Sequence, residues 1–166
     1  MEALRVELKH EGWPISVTQV MPGTINTPFF DKGRTKLGVK PVGIPPIYEP
    51  ETVADIIVYA AESPARDLVS GSAAQALIIN QRLSPRMLDA VLATRAGFAP
   101  QKTNESRSED DPDNLYAPIR GYDTARDGFR ALSRSLYNWL QMHPAVRRGA
   151  AVGTALGLMA ALRQGS

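Results

Sequence analysis

The chain has 166 residues, no cysteine, two histidines and a formal net charge of +2 at pH 7. Disulfides and thiol chemistry are therefore excluded, and two histidines without cysteine make a metal site a poor interpretation. The length suits one compact domain with a tail. The sequence opens directly in helical residues without a secretory signal, which together with the absence of cysteine favours a cytoplasmic protein.

Charge is distributed unevenly along the chain. Residues 1–100 carry ten basic and ten acidic side chains, residues 101–119 have a net charge of −3, and residues 120–166 have +5 with arginine as the only basic residue type. An arginine-rich tail fits either an anionic surface or a solvated helix face. We do not expect a nucleic-acid partner, because no interleaved aromatic and basic residues of a nucleic-acid module accompany the charge.

The first predicted element is a helix over residues 1–11. Leu4 and Leu8 lie four residues apart on one face, with charged residues around them. Gly12 is suited to end the helix, and Pro14 prevents its continuation.

A strand is predicted next, over residues 15–21, where β-branched residues dominate an alternating pattern. Pro22 has no N–H for a sheet ladder, so we expect the strand to end at Met21, and Gly23 permits a sharp turn. Residues 24–27 then offer two hydroxyls, an amide and free backbone N–H groups. Ligands of open α/β sheets bind at the carboxyl ends of the strands, so this turn is the first candidate binding site.

Residues 28–48 are rich in glycine and proline and lack periodicity, which predicts a lid-like loop. Phe29 and Phe30 directly follow the turn, and two interpretations stay open: the rings line a substrate pocket, or they pin the loop to the core. The basic side chains of the loop are expected on its solvent side: Lys32, Arg34, Lys36 and Lys40.

Two further core elements are predicted between residues 49 and 71. A helix begins at Glu49-Pro50 and ends at Ser63, and residues 67–71 form a short apolar strand. The spacing of apolar residues predicts which side of the helix is buried: Val53, Ile56, Ile57 and Ala60.

The next segments are helical or ambiguous. Residues 73–80 fit a helix or a strand, and the sequence leaves that choice open. Ser84 and Pro85 are typical of a helix start, and Gly97 is the expected cap at the end of that helix.

The C-terminal third divides into a spacer and two helices. Residues 100–118 are polar and are predicted to be a solvated, mobile spacer. Residues 124–142 are predicted as an amphipathic helix, with its apolar face formed by Phe129, Leu132, Leu136, Trp139 and Leu140. Residues 149–162 carry glycine at every fourth position and would span about 21 Å as a helix. That is short of a hydrocarbon core of about 30 Å, so shallow membrane contact and packing on protein both stay open.

Helix, strand and a Pro-Gly-x-Ile-x-Thr turn in this order closely resemble the short-chain dehydrogenase/reductase family. In that family the sixth strand of a Rossmann sheet ends in this motif beside the nicotinamide. Pro22, Gly23, Ile25 and Thr27 match the motif position by position. The resemblance implies NAD or NADP as cofactor, with the Ile25 backbone at the carboxamide and the Thr27 hydroxyl at the carboxamide or the phosphates.

The resemblance also implies a fold and a substrate class. Residues 1–99 are expected to form the C-terminal part of a Rossmann-type doubly wound parallel sheet in an α/β protein. Residues 100–118 are then a linker, and residues 119–166 a helical C-terminal extension. In the family the segment that here contains Phe29 and Phe30 closes over a small alcohol or carbonyl compound.

The family's catalytic residues cannot be assigned to this sequence. No tyrosine is followed by lysine four positions later, and no glycine-rich turn follows a strand. Two function classes therefore stay open: an NAD(P)-dependent oxidoreductase, or a non-catalytic interaction or membrane-associated protein. In either case we expect this chain by itself to be catalytically inactive. We also expect it to oligomerise or aggregate, because its apolar helix faces exceed the sheet that could cover them.

Overall fold

The computed structural model describes residues 1–149, 153 and 159, and the fold of this part is a mixed α/β arrangement. The helices are α1 Glu2–His10, α2 Phe29–Lys32, α3 Glu51–Glu62, α4 Ser72–Leu83, α5 Pro85–Leu92, α6 Arg95–Phe98 and α7 Leu136–Met142. The strands are β1 Gln19–Pro22, β2 Val39–Pro41, β3 Asp67–Ser70 and β4 Lys102–Ser106. The helix predicted over residues 149–162 lies almost entirely outside the described residues.

The central element is a parallel pair of strands, β1 and β3. The N–H of Gly23 extends the ladder by donating to Ser70 O at 2.8 Å. Two predictions about β1 were wrong: it begins at Gln19, where β3 first pairs with it, and it includes Pro22. The backbone N–H groups of odd-numbered residues of β1 point toward β3. The nitrogen of Pro22 therefore points to the opposite edge of the strand, and no ladder hydrogen bond is lost.

The N-terminal helix ends as the sequence predicts. Gly12 adopts a positive φ of 71°. Its N–H bonds to Lys9 O, and the N–H of Trp13 bonds to Leu8 O at 2.9 Å. These two bonds form a Schellman motif, which satisfies the last carbonyls of α1.

Helix α3 covers the parallel pair and supplies the centre of the core. Ile56 is fully buried, Thr52 is buried beside it, and Ser70 Oγ donates to Thr52 O at 3.2 Å. The expectation that Ile57 is buried was wrong, since its side chain is 54% exposed. Thr52 and Ile56 are four residues apart and share the buried face, whereas Ile57 lies about 100° around the helix from Ile56.

The segments after β3 resolve one open choice and correct one prediction. Residues 73–80 are helical and belong to α4. Gly97 does not cap α5, which ends at Leu92. The hydroxyl oxygen of Thr94 instead accepts from the N–H of Gly97, which starts α6 and places Gly97 inside that helix.

The polar stretch after residue 100 contains a strand that the sequence did not predict. β4 pairs antiparallel with β2 of the loop. Arg34 adds ion pairs to Glu109 at 3.7 Å and to Asp113 at 3.6 Å. Backbone pairing and charge, which need no buried apolar surface, hold this segment against the loop, so composition gave no sign of it.

The helix predicted over residues 124–142 is much shorter, and its orientation is the reverse of the expected one. Only α7, Leu136–Met142, is helical within this range, and Leu132 forms an isolated parallel bridge with Tyr48. The helix buries Asn138 and Gln141, while Leu136 is 72% exposed. Apolar periodicity therefore identified the outer face of this helix, not the packed one.

Hydrogen bonds explain why α7 packs through polar side chains. The carboxamide of Gln141 accepts from Val69 N–H at 3.2 Å and donates to Val69 O at 2.6 Å. Asn138 Oδ1 accepts from Gly71 N–H at 2.8 Å. These groups lie on the edge of β3 away from β1, so the two amides occupy the place of a neighbouring strand and satisfy that edge.

Several apolar side chains remain uncovered in the described part of the chain. Trp13 and Ile15, next to β1, are 61% and 56% exposed, and Leu4 on α1 is 43% exposed. Such a surface favours association with further protein. The expected oligomerisation stays a prediction.

Replacing Gln141 with methionine tests the edge contact. Methionine keeps the length of the side chain but leaves the N–H and C=O of Val69 unpaired and buried, which costs about 1–3 kcal/mol for each group. We expect the free energy of local opening at residues 67–71 to fall by roughly 2–6 kcal/mol. Hydrogen exchange followed by mass spectrometry measures that opening.

Gln81→Met is the matched control, because Gln81 is exposed on α4. It should leave exchange at residues 67–71 unchanged. Equal protection of β3 in both variants would show that Gln141 does not support the edge.

Candidate functional site

A cleft of about 360 Å³ opens at the carboxyl end of β1. The structure brings all six residues that the sequence singled out to this cleft, together with two neighbours. Its lining consists of Pro22, Gly23, Thr24, Ile25, Thr27, Phe29, Phe30 and Gly43. The turn and the start of the loop therefore share one concave surface.

The shape of the turn depends on close packing against α4. A Cβ added to Gly23 would lie 3.3 Å from Ala74 Cβ and 3.4 Å from Ser70 O. On the opposite side, a Cβ at Gly43 would overlap Thr24 Cγ2 at 2.2 Å. Glycine at both positions lets the turn lie between the first turn of α4 and the loop.

Hydrogen bonds hold the rear of the turn. Thr24 Oγ1 donates to Ile44 O at 2.7 Å. Tyr48 N–H donates to Thr24 O at 2.9 Å, and Asn26 N–H donates to Tyr48 O at 2.8 Å. Thr24 is therefore committed to the loop, and its hydroxyl is not available as a donor to a ligand.

The front of the turn carries two donors that could serve a ligand. Among the described residues, neither the Ile25 N–H nor the Thr27 hydroxyl has a hydrogen-bond acceptor. Both residues are half-buried and line the cleft. A backbone N–H and a hydroxyl at this spacing suit a planar amide or an anionic oxygen.

The two phenylalanines form an edge-to-face pair with ring centroids 5.2 Å apart. Phe29 is 68% exposed and Phe30 is half-buried. Pro28, which is buried, anchors the start of α2 instead. The rings supply an apolar wall to the cleft.

A second cleft of about 320 Å³ lies on the other side of the same turn. It shares three residues of the turn with the first cleft and is otherwise apolar. Its remaining lining residues are Met21, Ile44, Ala73, Ala74, Leu77 and Ile78. The turn thus separates a cleft with free donors from an apolar one.

The sequence gave no sign of the role of Asn26. This side chain is only 2% exposed and bonds to the C-terminal tail. Its Nδ2 donates to Phe129 O at 3.1 Å, and its Oδ1 accepts from the N–H groups of Asp127 and Phe129, each at 3.3 Å. An asparagine in a polar turn is typical of a solvated residue, and only the tertiary structure reveals these partners.

A buried charge cluster joins the loop to the tail. Lys40 Nζ lies 2.5 Å from Asp31 Oδ1 and 3.4 Å from Asp127 Oδ1, and 5.2 Å from the centre of the Phe129 ring. The prediction that Lys40 faces solvent was wrong, since its two acidic partners and the ring enclose it. Arg34 and Lys36 are exposed as predicted.

The carboxyl groups of the cluster have opposite pKa shifts. Burial, together with the neighbouring Asp31, raises the pKa of Asp127 to about 6. Burial also opposes ionisation of Asp31, but hydrogen bonds with Asp127 and Lys40 outweigh it and lower the pKa of Asp31. The cluster therefore holds one ionised carboxylate and one carboxyl group that titrates at mildly acidic pH.

A comparison with known proteins gives one informative similarity. The chain is 40% identical over 92 residues to an uncharacterized oxidoreductase, YxnA, of Bacillus subtilis (strain 168). The match covers 55% of this chain and 26% of the relative, so it spans about a quarter of that protein. No family model matches the chain, and no solved structure does. The chain is therefore similar to part of a protein named as an oxidoreductase.

Proposed function

We propose that this chain forms part of an NAD(P)-dependent oxidoreductase of the short-chain dehydrogenase/reductase type, which interconverts an alcohol and a carbonyl. The observation that carries the proposal is the pair of free donors, Ile25 N–H and Thr27 hydroxyl, beside a cleft at the carboxyl end of a parallel strand. The relative named as an oxidoreductase supports the general class of reaction. The Pro-Gly-x-Ile-x-Thr motif supports the finer assignment.

The residues of this chain would bind and orient the nicotinamide. When bound, that group supplies hydride transfer. The Ile25 N–H would donate to the carboxamide oxygen, and the Thr27 hydroxyl to the carboxamide or a phosphate oxygen. Phe29 and Phe30 would cover the ring and exclude water from the reacting face.

The proposal also implies a larger parallel sheet around β1. In the described part of the chain β1 has one neighbouring strand, β3. A Rossmann-type sheet would add further parallel strands at the free edge of β1. We also propose that the protein is cytoplasmic and forms a homo-oligomer.

The test of the site uses two substitutions at Thr27. Thr27→Val keeps the β-branched shape but removes the hydroxyl, whereas Thr27→Ser keeps the hydroxyl. A lost hydrogen bond costs about 0.5–1.5 kcal/mol. At about 1.4 kcal/mol per tenfold change, valine should weaken dinucleotide affinity severalfold to tenfold, and serine much less.

Titration of NAD⁺ and NADP⁺ into the labelled chain, followed by NMR shifts of the Ile25 amide, measures this affinity. Thr27→Ser is the control rather than a substitution at Thr24, because the Thr24 hydroxyl holds the loop through its hydrogen bond to Ile44 O. If the Thr27→Val and Thr27→Ser variants both bind the dinucleotide with the affinity of the wild type, Thr27 has no part in the site.

A further prediction is that the chain alone does not turn over substrate. The proton transfer that accompanies hydride transfer needs a positioned acid or base at the carbinol oxygen. The sequence contains no Tyr-x-x-x-Lys pair to supply one. Purified chain mixed with NAD⁺ or NADPH and a panel of alcohols and carbonyls should show no change in absorbance at the nicotinamide band. Turnover that co-purifies with the chain would contradict this.

A second candidate function is contact with an anionic membrane surface. Leu136, Trp139 and Val146 are 72%, 44% and 45% exposed at the tail. Exposed arginines flank them in the sequence: Arg130, Arg134, Arg147 and Arg148. Among the residues that the structure describes, none of the helices has the length and apolar character needed to cross a bilayer. Apolar residues flanked by arginine suit shallow interfacial binding.

Vesicle sedimentation tests this candidate. Leu136→Asp removes an exposed apolar side chain, whose burial is worth about 1.5–3 kcal/mol. It should weaken binding to vesicles containing phosphatidylserine by about tenfold or more. Leu83→Asp, at a residue that is 80% exposed on α4, is the control. Identical binding of both variants, or no preference for phosphatidylserine, would exclude the tail as a membrane contact.

A further inference from the structure

The segment of residues 126–132 runs along the rear of the turn that borders the cleft. Both hydrogen-bonding ends of the Asn26 side chain are engaged by this segment. Further along, Leu132 N–H donates to Ile47 O at 2.8 Å, and Glu49 N–H donates to Leu132 O at 3.0 Å. The segment thus adds an outer layer to the loop residues that bond the turn.

Ionic contacts fasten the same segment at its start. Arg126 Nε lies 2.9 Å from Glu49 Oε2, and the guanidinium also contacts Glu51. Asp127 enters the buried cluster with Lys40 and Asp31. Because Asp31 belongs to α2, this cluster links the tail to the helix that carries the two phenylalanines.

The second carboxylate oxygen of Asp127 bears on the protonation of the cluster. Asp127 Oδ2 is buried and has no hydrogen-bond donor among the described residues. A proton on Asp127, donated toward Asp31, would satisfy both carboxyl groups. The charged groups that face the pair are Lys40 on β2 and Arg107 after β4, whose guanidinium bonds to the backbone carbonyl of Asp31. Of these two cations, Lys40 is the one within ion-pair distance of Asp127.

We propose that residues 126–132 form a strap that fixes the shape of the turn at residues 23–27, and that the strap is held more tightly when Asp127 carries a proton. The inference rests on the proposed function only in taking that turn as the ligand-facing segment. Asn26 is then a positioning residue, which acts on Ile25 and Thr27 from behind without touching a ligand.

The sign of the pH dependence follows from the raised pKa of Asp127, which moves from 3.8 to about 6 in the attached state. The attached strap binds this proton more tightly than the released strap does. Its stabilisation is therefore complete below the ordinary pKa and is lost as the pH rises through about 6. The lowered pKa of Asp31 acts only below its ordinary value of 3.8, outside this window.

Hydrogen exchange of the full chain at pH 5 and pH 7.5, corrected for intrinsic rates, tests the strap without any ligand. The two segments to follow are residues 21–30 and residues 123–135. In the wild type both should be about tenfold better protected at pH 5, from the separation of 3.8 and about 6. Asp127→Asn mimics the protonated group and should remove this pH response while keeping both segments protected.

Asp123→Asn is the matched control, because Asp123 is exposed four residues earlier. It should respond to pH as the wild type does. A pH response in Asp127→Asn equal to that of the wild type would overturn the role of Asp127. Independent changes in protection of the two segments would overturn the strap.

Asn26→Ala supplies a second test of the coupling. It should release both segments at both pH values while α3 stays protected. Loss of protection in only one segment contradicts the proposal, and if α3 also opens, the Asp127→Asn comparison decides. No dinucleotide enters these measurements, so a failure of cofactor binding in the Thr27 series affects the proposed function and leaves the strap to its own result.

Discussion

The outer edge of β3 is the constraint on which the rest of the described structure depends. Buried backbone groups need hydrogen-bond partners, and among the described residues β1 supplies them to β3 on one edge only. Gln141 and Asn138 supply them on the other side through their side-chain amides. Two side chains of the short helix α7 therefore make the hydrogen bonds that a neighbouring strand would make.

This constraint also determines the path of the tail. The tail pairs with the loop at β4 and then reaches β3 with α7, and between these points it crosses the rear of the turn. Asn26 and Tyr48 receive their tail contacts along that crossing. As a result the rear of the turn is satisfied by protein, whereas the donors at its front have no acceptor in the described part of the chain.

The sequence predicts those elements whose stability depends on local patterns. The Schellman end of α1 at Gly12, the helix α3 and the strand β3 follow from turn chemistry and apolar periodicity. The motif also locates the turn, because proline, glycine and threonine impose a local geometry. These residues line one cleft, and their roles toward a cofactor stay a prediction.

Sequence patterns do not predict contacts that join distant residues through polar groups. Asn138 and Gln141 are buried by hydrogen bonds to β3, so the rule that apolar residues mark the packed face points to the wrong side of α7. One of the groups that enclose Lys40 is Asp127, which lies 87 positions further along the chain, and no local pattern encodes that pairing. Tertiary hydrogen bonds thus determine how the tail and the site meet.

The central claim is that the cleft beside Ile25 and Thr27 receives a nicotinamide ring. Intermolecular NOEs between the nicotinamide protons of NAD⁺ or NADP⁺ and the isotope-labelled chain test it most directly. The account predicts NOEs from the ring to the Thr27 methyl group and to the Phe29 or Phe30 ring. Saturating dinucleotide that gives NOEs only to residues outside this cleft, or none at all, would contradict it.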